Sequence, residues 1–185
     1  PDNPHLPEDT DEPAIVPYAG RVSPIQIRKV YGVLDYAEKG MVGQGQSIGI
    51  ILGSICRESD LQSYFSSLGI ERSGSFVWNF TDYPPTSFSL EAAIDIQLSG
   101  AIAPGADLIA YVASGNRDFD LVWATNEAIG EGRVSVITYS FAHQEVIAAW
   151  ELQEAYSRMA KLGAAQGISF FSASGDSRSV DTPSN

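Results

Sequence analysis

Five short runs of apolar and β-branched residues recur along the chain: SIGIILG (47–53), SFVWNF (75–80), ADLIAYVA (106–113), VSVITYS (134–140) and ISFFSAS (168–174). Runs that stay apolar at successive positions suit strands buried on both faces, as in parallel sheets. Helix-length segments separate them, at about 57–68, 89–102, 118–130 and 146–166. The last carries Val146, Ile147, Trp150, Ala155 and Met159 around much of its circumference, with Gly163 and Gly167 near its end. Strands alternating with helices at this spacing predict an α/β fold with a mostly parallel sheet flanked by helices. In open sheets of this kind, ligand sites gather at the carboxyl ends of the strands. Upstream, residues 1–24 are rich in proline and acids without apolar periodicity and read as an extended arm, and SPIQIRKVYGV reads as a short helix led by Ser23-Pro24.

Charge narrows the partners. Eleven basic residues against 23 acidic ones give a net charge of -12, which argues against nucleic acid and anionic membranes. The acidic surface loses charge as the pH approaches the pI of about 4.4, where a balanced protein would become strongly cationic. The single cysteine, Cys56, has no internal disulfide partner and is expected to be structural, in a helical stretch. Asn79-Phe80-Thr81 is a glycosylation sequon, usable only in a secretory lumen. No apolar run reaches membrane length, and a chain that starts at Pro1 without methionine is expected to be processed or excised.

Two segments carry chemistry. The first is SLEAAIDIQLSGAIAPGA, in which Ser89 is a plausible N-cap, Glu91 falls in the first turn and Asp95 lies on the same face. Two like charges at that spacing disfavour an isolated helix, and the neighbours Leu90, Ala92, Ala93, Ile94 and Ile96 are apolar. Read as solvated surface acids the pair does nothing. Read as partly buried, the two carboxyls share a proton and one of them is pushed up. Such a dyad works in acid, where a histidine base is already protonated. His5 and His143 have no triad context and are read as incidental.

The second segment is FFSASGDSRS (170–179), where a strand breaks into a turn. Gly175-Asp176-Ser177 resembles the Gly-Asp-Ser of chymotrypsin-like proteases, but alternating helices and strands rule out a pair of antiparallel barrels. Gly175-x-Ser177-x-Ser179 falls one glycine short of the nucleophile elbow of the α/β hydrolases. Gly43-x-Gly45 precedes the first strand and so is no phosphate loop, and no Cys/His cluster has metal-ligand spacing.

Taken in order, SPIQIRKVYGV, GQGQSIGIILG, Glu91-x-x-x-Asp95-Ile96, GAIAPGADLIAYVA, VSVITYS and SASGDS resemble the N-terminal half of the catalytic domain of the sedolisins, from about residue 23 to 179. These are serine-carboxyl peptidases that include the tripeptidyl-peptidase I group and share the subtilisin fold. In subtilisins a histidine motif precedes a similar Ala-Pro segment and an aspartate ends the first strand; here those places hold Glu91 and Gly53. The resemblance implies a subtilisin-like fold that is incomplete in this chain, with residues 25–185 as the N-terminal portion of a peptidase domain. It implies Glu91 as the general base, Asp95 orienting it and sharing its proton, and Asp176 lining the oxyanion hole. A protonated carboxyl at 176 donates to a developing oxyanion, whereas an ionised one repels it.

The family's nucleophilic serine, in a Gly-Thr-Ser motif, and its calcium site come later in the fold, and no Gly-Thr-Ser occurs in these 185 residues. The serine and calcium are therefore expected outside this chain, on a C-terminal chain of the same enzyme or on a missing part, and the polar SRSVDTPSN ending is of the kind proteases nick. The family usually has glycine where Arg178 stands. The implied substrate is a peptide or protein, and the implied compartment is extracellular or an acidic lumen. Two other readings stay open: a non-catalytic, peptide-binding or regulatory relative, and an α/β hydrolase with Ser177 as nucleophile.

Overall fold

The computed structural model describes residues 23–81, 85, 87–141 and 149–175. Their elements run α1 (Pro24–Val30), α2 (Leu34–Glu38), β1 (Ser47–Leu52), α3 (Glu58–Ser67), β2 (Phe76–Phe80), α4 (Leu90–Ile102), β3 (Asp107–Val112), α5 (Asp118–Glu131), β4 (Val136–Tyr139), α6 (Trp150–Ala165) and β5 (Ser169–Ser172). All five strands pair in parallel in the order β2-β3-β1-β4-β5. The apolar runs predicted as strands are these strands.

Strand alternation divides the core into two layers. Ile50 and Leu52 of β1 stand in register with Ala110 and Val112 of β3, and all four turn to one face, against α3 and α4. Ile51, Ile109, Tyr111, Ile137 and Tyr139 turn to the other, against α5 and α6. The central strand β1 is buried on both sides, which is why SIGIILG shows no polar alternation. Toward β5 the first layer ends. Phe170 packs with Ile137 under α6, while its neighbour Phe171, on the opposite face, is 62% exposed.

Ser23 caps α1 with a full capping box: its hydroxyl accepts from the Gln26 amide and the Gln26 side chain accepts from the Ser23 amide. The Arg28 guanidinium then reaches across to donate to the carbonyls of Ala101 and Ile102, which satisfies acceptors at the carboxyl end of α4. Helix α2 has no side-chain cap and no buried residue, so it left no pattern in the sequence. One expectation is corrected. Cys56 lies in the loop before α3 rather than in a helix, fully packed among Ile55, Leu61 and Ala92. Trp150 is 63% exposed at the start of α6, because Leu152, Met159 and Gly163 form that helix's buried stripe; Val146 and Ile147 lie outside the described residues. The sequon's Asn79 sits on edge strand β2, its amide donating to Glu131. Among the described residues no helix is long and apolar enough to cross a membrane.

Candidate active site

The chain leaves β1 at Gly53 and makes an isolated parallel bridge between Ile55 and Phe88, just before α4. The Ile55 amide donates to the Ser87 carbonyl and the Ser89 amide donates to the Ile55 carbonyl. The hydroxyls of Ser54 and Ser89 meet at 2.5 Å, and Ser89 also accepts from the Ala92 amide at 3.1 Å as the N-cap of α4. The amino end of α4 is thus sewn to the carboxyl end of the central strand. That places Glu91, in the first turn, and Asp95, one turn on, at the carboxyl edge of the sheet.

The two carboxylates differ in surroundings. The buried stripe of α4 runs through Ala92, Ala93, Ile96, Gln97 and Gly100, and Asp95 borders it. Glu91 is exposed; Asp95 is half-buried. Asp95 Oδ1 accepts from the Ser140 hydroxyl at 2.9 Å, and Ser140 is the first residue beyond β4. Burial pushes the Asp95 carboxyl up to about 6, against the opposing pull of the Ser140 hydrogen bond and with a further push from the Glu91 charge. The pair expected to share a proton therefore has a fixed, proton-holding member and a solvent-facing one.

The raised Asp95 has a consequence for stability. Its folded carboxyl holds a proton that the unfolded chain has already lost above a pH of about 4. Folding therefore binds a proton between about pH 4 and pH 6, and stability falls as the pH rises through that window. Asp95→Asn, which keeps the acceptor for Ser140 but cannot ionise, should stabilise the protein at pH 7 by on the order of 2 kcal/mol and hardly at all at pH 4. Urea denaturation of wild type and variant at both pH values checks this; an equal effect at the two would remove the buried-carboxyl account.

Gly53 explains another position. A Cβ there would lie 1.9 Å from Asn116 Oδ1 and 2.7 Å from the Gly115 carbonyl oxygen, so the loop after β3 fills the space beyond the last strand residue. A first-strand aspartate of the subtilisin kind has no room here. Downstream, the Ala173 amide donates to the Tyr139 carbonyl at 2.9 Å, so the exit of β5 stays joined to that of β4 as far as the turn at Gly175, with φ of 87°. Asp176, the expected oxyanion residue, Ser177, the alternative nucleophile, and Arg178 lie outside the described residues, as do His5 and His143.

The structure thus brings together Glu91, Asp95, Ser54, Ser89 and Ser140. Sequence reasoning named the carboxylates and the Ser89 cap. It missed Ser54 and Ser140, whose only signal is that each stands within two residues of a strand's last apolar residue. Among the described residues no group of three or more His, Cys, Asp or Glu side chains is placed to hold a metal ion.

No protein-family model matches the chain. Over 165 residues, 82% of its length, it is 33% identical to kumamolisin from Bacillus sp. (strain MN-32), of which it spans 30%. Its fold matches that of Pseudomonas sedolisin, a serine-carboxyl proteinase solved in complex with two molecules of pseudo-iodotyrostatin. The TM-score is 0.66 at 25% identity, over 83% of this chain and 44% of that one. The chain therefore spans less than half the length of either relative. The expected subtilisin-like α/β architecture is the one found.

Proposed function

We infer, from the likeness of this chain to kumamolisin and to Pseudomonas sedolisin, that it belongs to the sedolisin family and supplies the base-bearing part of an acid-acting serine-carboxyl peptidase. Its relatives are serine-type peptidases. The observation that carries the reading is the Glu91–Asp95 pair at the carboxyl edge of the sheet, with Asp95 bound to Ser140 and pushed up to about 6.

In this reading Glu91, exposed toward substrate, takes the proton of an attacking serine hydroxyl. Asp95 orients Glu91 and exchanges a proton with it. The serine adds to the peptide carbonyl, the amine leaves, and water releases the acyl group. Asp176, protonated, donates to the oxyanion. The serine itself belongs to the remainder of the domain, on another chain or beyond this one. The edge strand β5 and the exposed Phe171 support that arrangement, since further sheet and helix would cover both. Calcium, implied by the family, is assigned to that same remainder, and no step here passes through it. The substrate is a peptide or protein, and the working compartment is extracellular or an acidic lumen.

The test is an active-site serine label on the complete enzyme, mapped by mass spectrometry, together with peptide hydrolysis followed from pH 2 to pH 8. Labelling of a serine in a Gly-Thr-Ser segment, with activity confined to acid, is expected. A label on Ser177 would install the α/β-hydrolase reading, and no label with no hydrolysis would leave a peptide-binding relative.

A further inference from the structure

We infer that Ser140 is a positioning residue for this peptidase site, its hydroxyl holding Asp95 so that the second carboxylate oxygen is the one left to exchange a proton with Glu91. The inference rests on the peptidase reading and adds to it a residue on a different element. Asp95 stands on α4 and Ser140 at the exit of β4, 45 positions apart in sequence, and their 2.9 Å hydrogen bond is partly buried.

Both ends of that bond are fixed. Strand β4 is paired on one side with β1 and on the other with β5, and the Tyr139 carbonyl, next to Ser140, accepts from the Ala173 amide. Tyr139 is anchored on the opposite face by its hydroxyl, 2.6 Å from that of Tyr156 on α6. Helix α4 is held at its amino end by the Ser54–Ser89 hydroxyl pair. A hydroxyl donor accepts no proton from a carboxylic acid in this pH range, so it occupies Oδ1 without competing for the exchanging proton. A carboxylate has a single rotatable bond to its planar head, and tying one oxygen fixes the direction of the other.

Among the described residues the charged group bearing on Asp95 is Glu91, on the same helix. From the elements packed against α4, Asp60 of α3 accepts through its backbone carbonyl from Gln97, and Arg28 of α1 caps the far end at Ala101 and Ile102. Neither contact touches the Asp95 head. Among the described residues Ser140 is thus the contact that distinguishes the two oxygens.

The experiment compares wild type, Ser140→Ala and Ser140→Thr as complete enzymes. Steady-state hydrolysis of one peptide is read as kcat and KM, and the Asp95 carboxyl is titrated by carbon-13 NMR. In Ser140→Ala, kcat is expected to fall about tenfold with KM little changed, as for a small misplacement of a catalytic group. The Asp95 titration should also move upward, because a bond favouring its ionised form has gone. Ser140→Thr, which keeps the hydroxyl, should restore both. An Ala variant with wild-type kcat and an unmoved titration overturns the inference while leaving the peptidase reading intact. So does a variant that loses kcat only in proportion to lost folded protein, with the titration unmoved. A wild-type enzyme that cleaves no peptide overturns the peptidase reading, and the positioning role with it.

Discussion

Glu91→Gln in the complete enzyme is expected to lower kcat by about 10²–10⁴, the contribution of a positioned general base, with KM little changed. The amide keeps the size and shape of the carboxylate but accepts no proton from a serine. Because Glu91 is exposed in the first turn of α4, the substitution opens no cavity and leaves no buried partner. Its only structural cost is one negative charge at a helix amino end, about 0.3–1 kcal/mol. Melting temperature and kcat measured on the same preparation separate the two effects. Activity within a few-fold of wild type would return Glu91 to a surface acid of α4 and take the base assignment with it.

Asp176→Ala is expected to cost about 10²–10³ in kcat, the effect of deleting one oxyanion donor. The diagnostic comparison is with Asp176→Asn. An amide donates at any pH, so the Asn variant should be the milder of the two and should stay active to higher pH than wild type. Its activity then ends where the Glu91–Asp95 pair loses its shared proton. For Asp95 burial sets that loss near 6, well above the pH at which an ordinary carboxyl ionises. The pH–rate profiles of wild type, Ala and Asn on one peptide substrate carry the result. Wild-type behaviour in both variants would make Asp176 a turn residue and move the oxyanion hole to backbone amides.

These two variants also separate roles that one acidic optimum would blend. Loss of the base lowers activity across the whole profile, whereas replacing a donor that must be protonated changes where the profile ends. The ionisations belong to coupled groups, so the profile reports the pair rather than either carboxyl alone.

Much of this is legible in the sequence. Five apolar runs are five parallel strands: in β1 and β3 burial on both faces leaves a continuous apolar stretch that is local in sequence, and β5 shows the same kind of run although Phe171 is exposed. Ser89 was readable as a cap and Glu91–Asp95 as a same-face pair, since capping and helical spacing act within a few residues. Helix α2 and the exposure of Trp150 were not, because neither follows from a neighbour: α2 buries nothing, and the face α6 presents is chosen by the sheet beneath it.

At the site the same division holds. The sequence by itself determined which residue types stand one helical turn apart and that their helix precedes a strand in an α/β alternation. Only the tertiary structure decided that Asp95, not Glu91, is the half-buried member, since that depends on which edge of α4 meets the core. It alone brought Ser140 to Asp95 and Ser54 to Ser89, because strand order β3-β1-β4 puts the exits of β1 and β4 side by side although the chain visits two other strands between them. A hydrogen bond between residues 45 positions apart has no local signature; its cause is the register of the sheet.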